Sequence, residues 1–426
     1  MKKRIGYVVA SVVLLLGISD TVFAEAELKI VRIENSYLEA GGTARVEIVV
    51  PFDTNVAVYR TEGADKKLLR EYNDVLRGKS FTIDINSCEL KPGDNRFTLR
   101  PAHCNISSAD FVISLVDTND KDTSHLKYFG YYHSNGFPVN NAVLDKVMAL
   151  NHTNVCHVEF KNAEQLSEAL RKVKGTNAKL IIGLWGTFFT QQEGSYEKYW
   201  FGSGRIKLKK DWQKNWSEFK KAIKGYEDYI YAFYIDEPYW IGISEEDFIF
   251  VTRDVFAKEY PDLRRMSCLA ANSVYTKGFP NVEHPPISSE YIEYLTDIAF
   301  DLYELDWQKD GLFGEYGLHT NSMKAIAKNN PRIWVIAKTF IGNAGPHKKT
   351  SDLYDEYQRY IDFAIADKSV VGILNFSFCS GNQENWGIGA QEFFDPNNKN
   401  YDKKLFDIID KAGKAIIQPK KEKNEN

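Results

Sequence analysis

Two adjacent carboxylates end an aromatic and aliphatic segment of the sequence. Residues 231–240 read YAFYIDEPYW, so that Asp236 and Glu237 stand directly before a proline, and Tyr239 and Trp240 follow it. The apolar part predicts a buried strand. A single acid at the end of a strand is explained by a structural role, such as capping the next loop or pairing with a lysine. Two adjacent acids followed by two aromatic residues favour a functional site with acid–base chemistry.

The segment belongs to a repeated alternation of strands and helices between residues 126 and 417. Eight apolar segments are each followed by a helical pattern: LKYFGYYH, TNVCHVEF, AKLIIGLW, YIYAFYIDEP, RRMSCLA, DIAFDLYEL, RIWVIAKTF and VVGILNFSF. Eight such units over roughly 290 residues predict a (β/α)8 TIM barrel rather than an open doubly wound sheet. The glycine-rich dinucleotide fingerprint is also absent. In such barrels the active site lies at the C-terminal ends of the strands.

Other predicted strand ends carry further polar and aromatic residues. They are Tyr131, Tyr132 and His133 after the first strand, Glu159 after the second, Trp185 after the third, Asp301, Tyr303, Glu304, Asp306 and Trp307 around the end of the sixth, Lys338 at the end of the seventh, and Phe376, Phe378 and Asn382 after the eighth. Carboxylates among aromatic rings suit a sugar, because rings stack on its apolar face while polar groups bind its hydroxyls. We therefore predict a carbohydrate ligand. The predicted binding residues are Tyr131, His133, Glu159, Trp185, Tyr239, Trp240, Asp301, Tyr303, Asp306, Trp307, Lys338 and Asn382.

A barrel with Asp236-Glu237-Pro238 at the end of its fourth strand resembles the glycoside hydrolase superfamily, whose clan A members carry Asn-Glu-Pro there. The resemblance spans residues 126 to 417, and its sharp motif is three residues long. It implies that Glu237 is the general acid/base that protonates the glycosidic oxygen. It also implies that Asp236 replaces the asparagine that contacts the second position of the sugar.

The sequence departs from clan A at the seventh strand, which ends in Lys338 and Thr339 where a nucleophilic glutamate would stand. One way to replace that glutamate is substrate assistance. The Asp236-Glu237 pair also resembles the hexosaminidase-type families, in which the aspartate orients the 2-acetamido group of the substrate as the nucleophile. This alternative needs no carboxylate on the seventh strand.

The other way is a second carboxylate near the end of the sixth strand, supplied by Asp301, Glu304 or Asp306, of which Glu304 is the candidate catalytic residue. It would act as a nucleophile, or as the base for an inverting water. Side chains alternate along a strand, so Asp301 and Tyr303 share one face, and Glu304 and Asp306 share the other. We expect one of these two pairs to face the site.

The remainder of the chain predicts accessory segments. Residues 27–120 contain short alternating runs separated by glycine and proline turns, which predicts a small immunoglobulin-like β-sandwich ahead of the barrel, residues 121–417. Residues 117–125 are polar and free of large apolar side chains, as in a linker between domains. Residues 418–426 are polar and predict a disordered tail.

The N-terminal residues predict export. The basic residues 1–4, the uncharged apolar run 5–18 and the VFA sequence at 22–24 have the pattern of a signal peptide cleaved after Ala24, with a signal anchor as the alternative. Cleavage would change the formal charge of the chain from −4 to −6. A net negative charge does not favour binding to nucleic acid. We expect a secreted protein with no membrane span in its mature form.

Cysteines and histidines limit the remaining chemistry. Cys88 and Cys104 lie close enough in sequence to bridge, whereas Cys156, Cys268 and Cys379 lie in apolar runs and predict buried thiols. The eight histidines form no HxH or HExxH pattern, so we predict neither a metal site nor a cofactor.

The sequence favours a secreted glycoside hydrolase. The alternatives are a non-catalytic carbohydrate-binding protein and a barrel enzyme such as a deacetylase or lyase.

Overall fold

A computed structural model gives the fold of the chain. It describes residues 28–102, 106–136, 139–190, 202–270, 287–303, 312–342, 349–380 and 387–418. Contacts between residues divide the chain after Val116 into two compact units, the second of which begins at Asp117. The predicted signal peptide, residues 1–24, and residues 419–426 of the predicted tail lie outside the described ranges.

The first unit consists of two β-sheets. Its strands are β1 (Lys29–Glu34), β2 (Tyr37–Leu38), β3 (Thr43–Val49), β4 (Thr54–Glu62), β5 (Asp65–Val75), β6 (Ser80–Asn86), β7 (Gly93–Pro101) and β8 (Ala109–Leu115). One sheet has the order β1–β3–β6, and the other has the order β2–β8–β7–β4–β5. Along β3, buried Ala44, Val46 and Ile48 alternate with more exposed residues, as in a strand with one face on a core. The predicted all-β unit is confirmed.

The second unit is built on eight parallel strands. They are β9 (Tyr128–Tyr131), β10 (Val155–Val158), β11 (Lys179–Gly183), β12 (Ile230–Asp236), β13 (Arg264–Ala270), β14 (Asp297–Asp301), β15 (Arg332–Lys338) and β16 (Val370–Phe376). Each strand pairs with the next, and β16 pairs with β9, so the sheet closes into a barrel. Their apolar runs are buried almost without interruption, which is typical of parallel strands covered on both faces. The predicted TIM barrel is confirmed.

Helices alternate with these strands. They are α1 (Asn141–Met148), α2 (Ala163–Val173), α3 (Trp185–Phe188), α4 (Trp212–Ile223), α5 (Glu245–Ile249, continued by π-helical Phe250–Ala257), α6 (Ser289–Ile292), α7 (Gly314–Ile326), α8 (Leu353–Ala366), α9 (Ala390–Phe394) and α10 (Lys403–Ile417). Helix α2 is representative, because Leu166, Leu170 and Val173 are buried at helical spacing and the Asn162 side chain caps its first turn. Among the described residues, no helix is long and apolar enough to cross a bilayer.

A buried carboxylate fills the N-terminal end of the barrel. Asp297, the first residue of β14, is inaccessible to solvent and accepts hydrogen bonds from the Tyr231 hydroxyl at 2.7 Å, the Trp334 Nε1 at 2.9 Å and the Arg332 guanidinium at 2.7 Å. A buried anion with several donors is satisfied and stabilises this end of the barrel. The candidate site lies at the opposite end of the strands.

Candidate active site

A cavity of about 240 Å³ opens at the C-terminal ends of the barrel strands. Acidic, aromatic and small apolar side chains line it: Tyr132, His133, Asp236, Glu237, Cys268, Asp301, Tyr303, Ile336, Phe340 and Phe376. Most of these residues end or closely follow β9, β12, β14, β15 or β16. Cys268 and Ile336 instead lie inside β13 and β15. The predicted location of a functional site in a TIM barrel therefore coincides with a real concave surface.

The backbone explains how two adjacent acids face one cavity. Alternation along β12 directs Tyr234 and Asp236 to the same face of the strand, which would turn Glu237 away. Glu237, however, has φ of +37°, and its N–H donates to the Cys268 carbonyl at 3.1 Å. A positive φ is unfavourable for a residue with a side chain, and such strain is concentrated at functional sites. This turn brings the Glu237 carboxyl beside that of Asp236 in the cavity lining.

Asp236 is held by a pair of tyrosines. The Tyr234 hydroxyl donates to Asp236 Oδ1 at 2.7 Å, and the Tyr132 and Tyr234 hydroxyl oxygens are 2.7 Å apart. Burial raises the pKa of the Asp236 carboxyl, while the two tyrosine hydroxyls and His157 act in the opposite direction. Donors that point at a carboxylate stabilise its ionised form.

Asp301, the last residue of β14, is the third carboxylate of the described lining. Burial, followed by the charges of Asp301 and Asp236, raises the pKa of Glu237 well above its usual range. Burial and the charge of Asp236 raise the pKa of Asp301 to about 7. Among the described residues, Asp301 Oδ1 has no hydrogen-bond partner. These shifts favour the protonated form of Glu237, which is the form in which a general acid donates.

The cavity also has an aromatic wall. The Tyr303 ring stacks on Phe376 with ring centroids 5.7 Å apart and contacts Phe340 edge-on at 5.4 Å. Phe340 and Phe376 contact each other edge-on at 5.6 Å. Such flat apolar surfaces bind the carbon-bound faces of a sugar ring. The wall and the carboxylates together line the cavity.

Of the two alternating pairs at the sixth barrel strand, the structure brings Asp301 and Tyr303 to the cavity. The other pair, Glu304 and Asp306, lies outside the described residues. Trp307 and Asn382 also lie outside them, as does Cys104. The roles of these residues, including the bridge between Cys88 and Cys104, stay predictions.

A second polar layer lies behind the cavity on β10. The His133 N–H donates to His157 Nδ1 at 3.2 Å, so a neutral His157 carries its proton on Nε2, which lies 3.4 Å from Glu159 Oε1. Burial lowers the pKa of His157 to about 4 and raises the pKa of Glu159 to about 7. The Tyr132 ring stacks on His157 at 4.0 Å. This layer supports the residues that line the cavity.

Tyr131 lies on the other side of the strand from the cavity. Its hydroxyl is 2.8 Å from His152 Nε2, and His152 Nδ1 is 2.9 Å from Asp410 on α10. The side chain is buried in this contact between the first strand and the last helix. Its neighbour Tyr132 lines the cavity instead.

Four other predicted sugar-binding residues are not part of the described cavity lining. Trp185 begins α3 and contacts Phe189; Tyr239 is buried against Tyr291 with ring centroids 5.4 Å apart; Trp240 is partly exposed; and Lys338 is buried with its Nζ 5.0 Å from the centroid of the Phe340 ring. Lys338 therefore contacts the aromatic wall through Phe340, which lines the cavity. Binding by these residues stays a prediction.

Sequence reasoning missed several residues that build the site, among them Tyr234, His157 and Phe340. Tyr234 and His157 each stand two positions before a strand-end acid, Asp236 and Glu159 respectively. The period of two along a strand places such residues on the same face as the acid, which is a signal that could have found them. Phe340 follows β15 in a loop and carries no comparable signal.

Cys268 has a place that its apolar sequence context did not indicate. The predicted burial of Cys156, Cys268 and Cys379 is confirmed, yet Cys268 also lines the cavity between the carboxylates. Burial and the neighbouring acids raise the pKa of its thiol well above the usual value, so it stays protonated. In the part of the chain that the structure describes, no three His, Cys, Asp or Glu residues are arranged to hold a metal ion.

Known proteins resemble the chain only distantly. No family model matches it, and no curated protein matches it. Among solved structures, a beta-D-glucuronidase from Dictyoglomus thermophilum has 14% identity and a TM-score of 0.45, with 92% of this chain and 69% of that chain covered. A GH2 beta-galacturonidase from Eisenbergiella tayi has 9% identity and a TM-score of 0.44, with coverage of 88% and 69%. Both TM-scores are below 0.5, so these similarities carry no conclusion about activity.

Proposed function

We propose that the chain is a glycoside hydrolase that cleaves O-glycosyl bonds with Glu237 as the general acid/base. The observation that carries the proposal is the set of three partly buried carboxylates, Asp236, Glu237 and Asp301, that line one cavity at the C-terminal ends of the barrel strands. Burial raises the pKa of all three carboxyls, but the hydrogen bonds that Asp236 accepts oppose this shift, whereas the charges of Asp301 and Asp236 add to it at Glu237. Such a division is what an acid and its anionic partner need.

In the proposed reaction, Glu237 donates its proton to the oxygen that leaves, and positive charge develops on the sugar ring. An ionised carboxylate stabilises that charge, attacks the anomeric carbon or activates water. Asp301 is the carboxylate proposed for this role, because it lines the cavity with an unsatisfied oxygen among the described residues. Glu304 lies outside the described residues and stays the predicted alternative. The stacked rings of Tyr303 and Phe376 support the sugar.

A second mechanism has its own supporting observation. The Tyr234 hydroxyl on Asp236 Oδ1 favours an ionised Asp236 beside a protonated Glu237. In a substrate-assisted N-acetylhexosaminidase, such an anion orients the 2-acetamido group, whose oxygen then acts as the nucleophile. This mechanism and the previous one share Glu237 as the proton donor and differ in the substrate that they accept.

The test is Glu237→Gln on a pair of substrates with the same sugar. Loss of the proton donor should slow hydrolysis of an alkyl glycoside by at least about 100-fold and slow an activated aryl glycoside less, because a good leaving group needs little protonation. Glu164→Gln, an exposed change in the first turn of α2, is the matched control and should retain full activity. Full activity of Glu237→Gln on the alkyl glycoside would remove Glu237 from the mechanism.

A glycan panel separates a hydrolase from a non-catalytic binding protein. The proposal expects new reducing ends from at least one glycan that the purified protein binds. Binding without any release of reducing ends would favour a barrel that holds sugar and does not cleave it. An activity that depends on added metal would favour the deacetylase or lyase alternative instead.

We also propose that the protein is exported through the signal sequence in residues 1–24. The basic start, the apolar run and the small residue at position 24 support this proposal. The N-terminal sequence of protein recovered outside the membrane of an expressing cell should begin at Glu25. Retention of Met1 in that material would indicate a signal anchor or another route.

A further inference from the structure

We propose that Tyr132 and Tyr234 are positioning residues, whose hydroxyl chain keeps Asp236 in place as an ionised carboxylate beside Glu237. The inference rests on the proposed glycosidase and adds two residues to its machinery. Neither tyrosine is assigned a direct reaction with substrate. Their effect passes through the orientation and charge of Asp236.

The proton count gives the chain a direction. A phenol has one proton, and the Tyr234 hydroxyl contacts Asp236 Oδ1 and the Tyr132 oxygen, each at 2.7 Å. If Asp236 is ionised, it only accepts, so Tyr234 must donate to it and Tyr132 must donate to Tyr234. The two hydrogen bonds then run in one direction, from Tyr132 to Tyr234 and from Tyr234 to Asp236. The reverse order would put the proton on Asp236 and replace a charge-assisted hydrogen bond with a weaker neutral one.

The tyrosines come from opposite sides of the barrel. Tyr234 lies on β12, and Tyr132 follows β9, which pairs with β10 and β16 rather than with β12. Their rings meet edge-on with centroids 5.7 Å apart, and both rings contact His157, at 4.0 and 4.9 Å. Both tyrosines are at most 3% exposed, so water does not compete for their hydroxyls. The contact across the interior holds the rings in one packed layer under the acids.

Other groups also act on Asp236. Its titratable neighbours are Glu237 on the same strand end, His157 and Glu159 on the β10 side, Cys268 on β13 and Asp301 on β14. Burial favours the neutral form of Asp236, and the charge of Glu159 acts in the same direction. His157 favours the ionised form, and the two tyrosines do so more strongly. Loss of a tyrosine hydroxyl should therefore raise the pH at which Asp236 ionises.

Tyr234→Phe tests the inference, because it removes the hydroxyl and keeps the ring. If turnover needs ionised Asp236, the acidic limb of kcat/KM against pH should move upward by about one pH unit. At a pH below the wild-type midpoint of that limb, kcat should fall about tenfold with little change in KM, because about a tenth as much Asp236 is ionised. Tyr132→Phe should move the same limb in the same direction by a smaller amount.

Tyr231→Phe is the matched control. Tyr231 lies on the same strand, is equally buried, and its hydroxyl also donates to a carboxylate at 2.7 Å, that of Asp297 at the far end of the barrel. Its loss should lower the melting temperature and leave the pH profile unchanged. A Tyr234→Phe variant that loses stability but keeps the wild-type pH profile and the wild-type titration of Asp236 would make Tyr234 a core residue and overturn the proposal.

A measurement without substrate separates this inference from the proposed function. Carbon-13 NMR of aspartate-labelled protein, with the Asp236 signal assigned by Asp236→Asn, reports the charge of that carboxyl directly. The wild type should show an ionised Asp236 at pH 7, and Tyr234→Phe should titrate at higher pH. A neutral Asp236 in the wild type would contradict the inference even if glycosides are hydrolysed. Failure to hydrolyse any glycoside, with the expected titration, would leave the hydroxyl chain intact and reject the glycosidase.

Discussion

Asp236, Glu237 and Asp301 line one cavity, where burial raises the pKa of each carboxyl and the charges of neighbouring acids add to that shift. Burial disfavours every charge there, and each ionised acid makes ionisation of the next more difficult. Glu237, which the motif predicts as the acid, has its pKa raised well above the usual range. The sequence identified the two acids on the fourth strand, whereas their charges depend on neighbours from distant strands.

The first prediction at this scale uses Asp236→Asn to separate the two proposed mechanisms. An amide cannot stabilise the positive charge that develops as an acetamido oxygen attacks, so turnover of N-acetylhexosaminides should fall by at least about 100-fold if Asp236 orients that group. If Asp301 is the second carboxylate, Asp236→Asn should be tolerated on the matched 2-hydroxyl glycosides, because Asn-Glu-Pro is the clan A motif that the sequence resembles.

The measurement is kcat/KM of wild type and Asp236→Asn on the two matched glycosides. Asp301→Asn on the same pair completes the comparison, since it should abolish only the mechanism that uses Asp301. Cleavage of the 2-hydroxyl compound alone by the wild type would reject the acetamido mechanism. Equal loss on both compounds in Asp236→Asn would assign Asp236 to both reactions.

The second prediction concerns pH. The charge of Asp301 is the largest contribution after burial to the raised pKa of Glu237. Asp301→Asn removes this charge, so Glu237 should lose its proton at lower pH and the basic limb of kcat/KM should move downward, measured on whatever rate remains. Asp228→Asn, an exposed acid at the N-terminal end of the barrel, is the control. A basic limb that stays in place would show that burial alone maintains the proton on Glu237.

At the scale of the element, hydrophobic runs predicted every barrel strand because parallel strands are buried on both faces. The alternation of side chains also reduced the candidate acids around the end of the sixth barrel strand to two alternatives, Asp301 or the pair of Glu304 and Asp306. The structure brings Asp301 to the cavity. The same rule does not foresee Glu237, whose positive φ overrides alternation just after β12. Nor does it choose between Tyr131 and Tyr132, since that choice depends on the residue at which β9 ends.

Close approach of strands gives the prediction at this scale. A Cβ on Gly130 of β9 would lie 1.7 Å from the Val155 carbonyl oxygen on β10, which is backbone and cannot move aside cheaply. Gly130→Ala should lower the free energy of unfolding by about 3 kcal/mol or more. Gly186→Ala in α3, where a Cβ meets nothing within 4 Å, is the control. Equal denaturant midpoints for the two variants would contradict this account of the β9–β10 contact.

At the scale of the molecule, the division after Val116 invites a test of independence. A chain that starts at residue 121 should retain the barrel and cleave small glycosides at a rate within about twofold of the whole protein, and residues 27–120 should fold alone. Each unit has its own buried apolar core, which is what independent folding requires. Calorimetry of the two pieces and of the whole chain measures this. Loss of all small-substrate activity on truncation would contradict it.

The pairing of β16 with β9 has a consequence for the order in which a ribosome delivers the chain. Asp236, Glu237 and Asp301 are synthesised well before Val370–Phe376, the strand that completes the ring. The hydrogen bond between His152 and Asp410 joins residues 258 positions apart, so it forms later still. A nascent chain therefore carries all three acids while the strands that must hold them together are still missing. The proposed chemistry becomes possible only after Val370–Phe376 has left the exit tunnel and closed the ring.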